Sequence, residues 1–431
     1  MDEIAERLAE LARLGLSRRL RTVSGPQGPR VTLDGRDVLL LCSNNYLGLA
    51  DHPRVREAAA RAASELGAGA GASRLVSGTM AIHRELELEL AAFEGGEDCV
   101  LFGSGYLANL GVIGALAGPG DVVFSDALNH ASIIDGCRAS RAEVVVHRHL
   151  DCEHLEECLR RDAARHPRAE SHARAESTAD DAASTRGHRP RRRLIVTDSV
   201  FSMDGDLAPL CEIARLARAY DARLMVDEAH ATGTLGEDGR GAVSQAGLQG
   251  EVDVVVGTLS KALGSYGAYA CASAQVVRYL VNRARPLIFS TAPPPLSVAA
   301  ALCALRLVRE QPELVARLHV AARALRDGLA DEGFAVVRGD MHIVPLVVGH
   351  AQDTLRLCAA TLERGVFAQA IRPPTVPDGS SRLRLAAMAT HDPDDLRSAA
   401  SVLADAARSV GLEPSSIGSP TGRAAALASA S

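Results

Sequence analysis

Between residues 99 and 273 the chain alternates short apolar runs with amphipathic stretches, and this alternation limits the possible folds more than any other feature. The apolar runs are "CVLF", "DVVFSD", "AEVVVHRH", "RLIVTDS", "RLMVDEAH", "VDVVVGT" and "GAYACAS". Between several of them lie stretches with helical spacing, such as "YLANLGVIGALA", "HASIIDGCRAS" and "APLCEIARLARAY". Strand-length runs without polar alternation are buried on both faces, and strands separated by helices pair in parallel. The expected fold is α/β, a mostly parallel central sheet flanked by helices.

A chain of 431 residues is longer than one core usually supports, so more than one domain is expected. Residues 1–55 read as an N-terminal helix and β segment. In "MDEIAERLAELARLGLSRRL", Ile4, Leu8, Leu11 and Leu14 recur at helical spacing, which predicts a helix packed on the body. Residues 56–294 form the large domain, and 295–412 a smaller α+β domain with strands "FAVVRG", "HIVPLVVG", "VFAQAI" and "SRLRLAA". Residues 160–193 are rich in Arg, Ala, Ser and Glu without apolar periodicity and read as a mobile surface insertion. Residues 413–431 read as a disordered tail.

Bulk composition narrows the function classes. A net charge of −6 gives no general case for nucleic acid. No apolar run approaches the ~18 residues needed to cross a bilayer. Nine cysteines without a CxxC pair read as reduced thiols of a cytoplasmic protein, with neither a disulfide framework nor a metal site.

Lys261, in "GTLSKALGSYGAYACAS", is the single lysine of a chain whose Lys and Arg total 47. Arginine substitutes for lysine where only charge is wanted. It cannot do so where a free amine must form, because guanidinium stays protonated. Alone, one lysine is compatible with a simple arginine bias; its neighbours decide. "RLMVDEAH" ends a predicted strand with Asp227 and then His230, and Lys261 follows the strand "VDVVVGT". Ligands of open α/β sheets bind at the carboxyl ends of strands. An amine and a carboxylate there match the needs of pyridoxal phosphate: the amine holds the aldehyde as a Schiff base, and the carboxylate keeps the ring nitrogen protonated. The plain alternative is a structural Asp–Lys ion pair. For the phosphate, "FGSGYLANLG" supplies a Gly-rich turn, Gly103 to Tyr106 with Ser104 and Gly105, opening a helix. Thr258 and Ser260 add hydroxyls, Ser202 lies beyond another strand end, and His130 offers a flat ring for stacking.

The strings "SNNYLGLA", "GAGASRLVSGT", "GSGYLANLG", "LNHASIIDG", "TDSVFSMDGD", "VDEAHATGTLGEDGRG", "GTLSKALGSYGAY" and "RPPTVPDGSSRLRL" run in one order from about residue 10 to 400. Together they resemble the α-oxoamine synthase family of pyridoxal-phosphate enzymes. The resemblance implies a fold-type I transferase, a homodimer with active sites at the subunit interface, and decarboxylative condensation of an amino acid with an acyl thioester. It assigns Lys261 the Schiff base, Asp227 the pyridine nitrogen and His230 the ring hydroxyl. His130 would stack on the ring with Ser202 beside it, and Gly105, Tyr106 and Thr258 would help bind the cofactor. Arg18 and Thr375 fall at substrate positions, and Asn44 and Arg372 at positions that hold the amino-acid carboxylate. Ser290 and Thr291 would reach the partner subunit's cofactor. Ser73 and "RPPTVP" favour L-alanine with a pimeloyl thioester over members that use glycine or serine. Whether coenzyme A or a protein carries the acyl group stays open. Rival readings are another reaction of the same fold type, such as transamination, and a non-catalytic homologue.

Overall fold

The computed structural model describes residues 2–167, 191–236 and 238–418. Helix α1 (Asp2–Arg13) opens the chain, with acidic residues in its first turn and Arg13 in its last, as the helix dipole favours. The expected helix is present, but its apolar face is not covered within one chain: Ile4 is 65% and Leu8 59% exposed. Strands β1 (Val23–Ser24), β2 (Arg30–Leu33) and β3 (Arg36–Leu40) then form an antiparallel hairpin sheet.

The large domain follows: α2 (Pro53–Leu66), α3 (Ala81–Glu94), β4 (Asp98–Phe102), α4 (Gly105–Leu116), β5 (Val122–Asp126), α5 (Ala131–Ser140), β6 (Glu143–His147) and α6 (Cys152–Arg165). It continues through β7 (Arg193–Asp198), α7 (Leu210–Ala219), β8 (Arg223–Asp227), α8 (Ala242–Gln245), β9 (Val254–Thr258), β10 (Ala268–Ala272), α9 (Ala274–Arg283) and α10 (Arg285–Ile288). Its seven strands pair in the order β4-β10-β9-β8-β7-β5-β6. All neighbours are parallel except β10, which runs against both β9 and β4. Strands β5, β7, β9 and β10 are buried at every position, which explains their lack of polar alternation. One apolar cluster fills the face under α4 and α9; a larger one fills the opposite face and continues into the C-terminal region.

That region contains α11 (Pro295–Glu310), α12 (Glu313–Asp331), β11 (Ile343–Gly349), α13 (Ala351–Glu363), β12 (Val366–Phe367), β13 (Gln369–Ile371), β14 (Ser381–Ala386) and α14 (Pro393–Ser409). Strands pair as β11-β14-β13, while β12 joins β3 in parallel and so ties the N-terminal hairpin to the C-terminal domain.

Three expectations change. The run "FAVVRG" is not a strand: only Ala335 makes a bridge, to Gly418. Within the run the Val337 carbonyl accepts from the Arg326 guanidinium, which also takes the carbonyls of Met341 and Ile343, and the Ala335 N–H donates to the carbonyl of Ile417, so these groups are satisfied without a strand here. The proposed insertion is narrower than 160–193, because α6 runs to Arg165 and β7 begins at Arg193. Residues 168–190 lie outside the described residues. Residues 413–418 do not belong to the proposed tail: Pro414–Ser416 form a helical turn, Ile417 is buried, and Gly418 bridges Ala335 and Val347. Residues 419–431 lie outside the described residues.

Candidate active site

The parallel strands deliver their last residues to one edge of the sheet: Asp126 from β5, Asp198 from β7, Asp227 from β8 and Thr258 from β9. The register pairs Asp198 directly with Asp227. The turn after β4 brings the first residues of α4 to the same edge, with the Ser104 hydroxyl accepting from the N–H of Leu107. A cavity of about 150 Å³ opens there, lined by Gly105, Tyr106, Asn109, His130, Ser132, Asp198, Asp227, Ala229, His230, Thr258, Ser260 and Lys261.

Each group at the floor of this cavity is held. Asp227 accepts from Asn109 Nδ2 at 2.7 Å and from the N–H of Ala229 at 2.8 Å. Asn109 sits one helical turn after Gly105 and is itself buried. Asp198 accepts the N–H of His130 at 2.7 Å, and the His130 ring pairs with the Ser132 hydroxyl at 2.7 Å. Burial and the neighbouring Asp227 charge push the Asp198 carboxyl well above the usual carboxylate range. Thr258 Oγ1 bonds Ser260 Oγ at 2.8 Å and donates to the carbonyl of Gly267 at 3.0 Å.

Lys261 Nζ lies 2.8 Å from His230 Nε2. Burial pushes the amine down to about 8, Asp227 and Asp198 oppose that shift, and Arg384 adds to it. His230 is held well below the usual imidazole range, first by burial and then by the charge of Lys261. Its other nitrogen, Nδ1, lies 2.7 Å from the hydroxyl of Tyr46. That hydroxyl also meets Asn44 Oδ1 at 2.9 Å and Nη2 of Arg384 at 3.0 Å. Arg384 is buried, donates its Nε to the carbonyl of Ser202 at 2.6 Å, and has no carboxylate partner among the described residues.

The residues singled out from the sequence therefore do not all converge on one place. Lys261, Asp227, His230, His130, Thr258, Gly105 and Tyr106 line one cavity. Ser202 and Asn44 reach it indirectly, through Arg384 and Tyr46. Arg18, Arg372 and Thr375 form a separate patch: Arg18 donates to the carbonyl of Pro373, Arg372 to those of Gly15 and Ser17, and the N–H of Thr375 to the carbonyl of Arg372. Thr291 pairs with Ser73 away from the cavity. Three groups at or beside the site carry no obvious local signal, Tyr46, Asn109 and Arg384; a fourth, Asp198, ends the apolar run "RLIVTDS" and was open to the strand-end rule. For the first three, the nearest to a signal is "SRLRLA", where Arg382 and Arg384 share one face of a strand buried at every position.

Residues 36–403 match the family described as aminotransferase class I and II. The chain belongs to this family, in its α-oxoamine synthase branch. It is 49% identical over 414 residues to the 8-amino-7-oxononanoate synthase of Geotalea daltonii, covering 96% of this chain and 99% of that protein. The same-named protein of Geobacter sulfurreducens is 50% identical over 412 residues, covering 95% and 99%. Among solved structures, a serine palmitoyltransferase from S. paucimobilis with PLP and myriocin bound superposes with a TM-score of 0.84 at 32% identity, covering 95% of this chain and 98% of that one. An 8-amino-7-oxononanoate synthase from Francisella tularensis, 23% identical, shares the fold at a TM-score of 0.68 over 87% and 99%.

Proposed function

We propose that this chain condenses L-alanine with a pimeloyl thioester, releasing CO2 and the thiol and forming 8-amino-7-oxononanoate, with pyridoxal phosphate as cofactor. The observation that carries the reading is the cavity in which Lys261, Asp227, His230 and His130 converge beside the first turn of α4. The curated relatives of the same length and about 50% identity support the choice of substrates.

The residues present fit the cofactor. The cavity is polar on its floor, Asn109 Oδ1 is buried without a partner, and a Cβ on Gly105 would meet nothing within 4 Å, so the helix start is open to a ligand. The N–H groups of Gly105 and Tyr106, with the hydroxyls of Thr258 and Ser260, would hold the phosphate. Asp227, fixed from two sides, would face the ring nitrogen, His230 the ring hydroxyl, and His130 the ring face. When bound, pyridoxal phosphate supplies an electron sink that makes the α-hydrogen of an amino acid acidic.

The chain's own residues then divide the labour. Lys261, with its amine pushed down to about 8, keeps a usable neutral fraction near neutral pH and takes the α-proton. Arg384 and Asn44, meeting at the Tyr46 hydroxyl, supply donors for the amino-acid carboxylate; Arg372, which donates to the carbonyls of Gly15 and Ser17 in this structure, would have to release them to join. Arg18 and Thr375 bind the acyl donor. We further infer a cytoplasmic homodimer. A groove between α4 and α10, lined by Leu110, Pro286, Ile288 and Phe289, supports a second copy as its cover; Phe289 is 70% exposed in one chain. Among the described residues no helix is long and apolar enough to cross a membrane.

The test is thiol release from pimeloyl-CoA with L-alanine, glycine, L-serine or no amino acid. Release that requires alanine and is lost in Lys261→Ala is the expected result. Release with glycine or serine alone moves the chain to another activity of the branch. No release from a protein that still binds pyridoxal phosphate removes the substrate assignment.

A further inference from the structure

Strand β14 places two buried arginines on one face, and both reach the turn that follows β7, yet the turn uses them differently. Arg382 meets a carboxylate there: its Nη1 donates to Asp204 and, at 3.3 Å, to the carbonyl of Met203. Arg384 meets none. Its Nε donates to the carbonyl of Ser202 at 2.6 Å and its Nη2 to the Tyr46 hydroxyl at 3.0 Å, while Nη1 has no partner among the described residues. A guanidinium is planar, so acceptors on two of its nitrogens fix the direction in which the remaining donors point. One of these acceptors, Tyr46, is fully buried. The other is a backbone carbonyl on a turn, and its place depends on what holds the turn.

The turn is held at both of its carboxylates. Arg382 takes Asp204, with side chains only 5% and 11% exposed. His149 takes Asp206: Nε2 lies 3.0 Å from Asp206 Oδ2, and Nδ1 2.9 Å from Asp126 Oδ1 at the end of β5. Ionised carboxylates only accept, so both ring nitrogens donate and the imidazole is a rigid strut between turn and sheet. Its ring lies edge-on to Phe201, the residue before Ser202, with centroids 4.4 Å apart. Between the two carboxylates, Gly205 has φ +71°, and a Cβ there would lie 2.6 Å from the carbonyl oxygen of Ile343 on β11, so the turn has no slack on that side. We propose that His149 and Arg382 are positioning residues: by clamping Asp206 and Asp204 they set the Ser202 carbonyl, and through it aim Arg384 at the carboxylate of the amino acid. The inference rests on the reading that Arg384 receives that carboxylate. Neither His149 nor Arg382 lines the cofactor cavity, so their influence on the amino acid runs through Ser202 and Arg384.

The experiment uses the full-length chain loaded with pyridoxal phosphate and two probes, L-alanine and ethylamine, which is the same amine without the carboxylate. Dissociation constants come from the shift in cofactor absorbance. Their ratio is the preference for a carboxylate; it reads only folded, loaded protein, so a smaller folded fraction does not move it. Arg384→Gln sets the floor. In His149→Gln the preference falls at least about tenfold, with ethylamine binding nearly unchanged. Arg382→Gln does the same, Arg382→Lys recovers part of the loss, and this pair decides the matter if His149→Gln does not fold. In the Arg384→Gln background, His149→Gln has no further effect, because the group it positions is gone. A wild-type preference in folded His149→Gln overturns the proposal, and so does a loss that persists in full on the Arg384→Gln background. Both outcomes leave the assignment of Arg384 standing. A preference that survives Arg384→Gln overturns that assignment together with the proposal. No thioester is present, so the choice of acyl donor is tested separately.

Discussion

At Lys261 two opposing influences set the reactivity of the amine. Burial pushes it down to about 8, and the carboxylates of Asp227 and Asp198 hold it up. Removing one of those charges has a sign that follows directly. Asp227→Asn lowers the midpoint further, by about one unit, so the amine reacts at lower pH, while affinity for pyridoxal phosphate falls at least about tenfold because the ring nitrogen loses its counter-charge. The midpoint is measured by reductive methylation across pH, and affinity by absorbance titration. A midpoint that rises contradicts the arrangement. Residues of this kind were legible in the sequence because the strand-end rule needs only local pattern: Asp227, Thr258 and Lys261 follow apolar runs. Tyr46 and Arg384 were not. They are 338 positions apart, and the pairing of the end of β14 with the N-terminal segment around Leu41 and Tyr46 brings them together.

Among elements, the turn from Ser199 to Leu207 is gripped from two directions. Strand β14 holds it through Arg382 on Asp204 and Arg384 on the Ser202 carbonyl. From below, His149 bridges Asp126 at 2.9 Å and Asp206 at 3.0 Å, its ring edge-on to Phe201. Although burial disfavours the charged ring, the two carboxylates raise His149 to about 9. A raised folded value means the stabilisation is complete below the ordinary 6.5 and is lost as pH climbs through about 9. His149→Leu leaves Asp126 buried without its cation and costs about 2–4 kcal/mol; urea melts at neutral pH give this loss, and the gap to wild type closes above pH 9. The loop carrying Lys261 depends on Gly264, whose φ is +61° and where a Cβ would lie 2.3 Å from the N of Ala50. Gly264→Ala therefore costs about 2 kcal/mol or more and displaces the lysine, seen as weaker cofactor binding in protein that still melts cooperatively. Helices α4, α5 and α7 were legible from their spacing, whereas α6 was not read and its last turns were given to the proposed insertion. "FAVVRG" failed because its backbone partners come from outside a ladder: the Ala335 N–H donates to the carbonyl of Ile417, far along the chain, and the Val337 carbonyl accepts from the Arg326 side chain.

For the whole molecule, the parallel sheet and its active edge followed from the alternation of apolar runs, but the uncovered surfaces did not. A single sequence does not distinguish an apolar face meant for its own core from one meant for another copy. The faces of α1 and of the groove beside Phe289 are of the second kind if the chain dimerises. Phe289→Asp accordingly weakens self-association by at least tenfold, at ~1.4 kcal/mol or more, as sedimentation equilibrium would record; an unchanged dissociation constant moves the interface elsewhere. The lone lysine has a consequence of another sort. A lysine-specific protease can cut this chain at one peptide bond only, after Lys261, beside the half-buried floor of the cofactor cavity. The folded protein is thus a substrate only during excursions that open this pocket, and the appearance of two fragments becomes a clock for local unfolding at the place where the chemistry occurs.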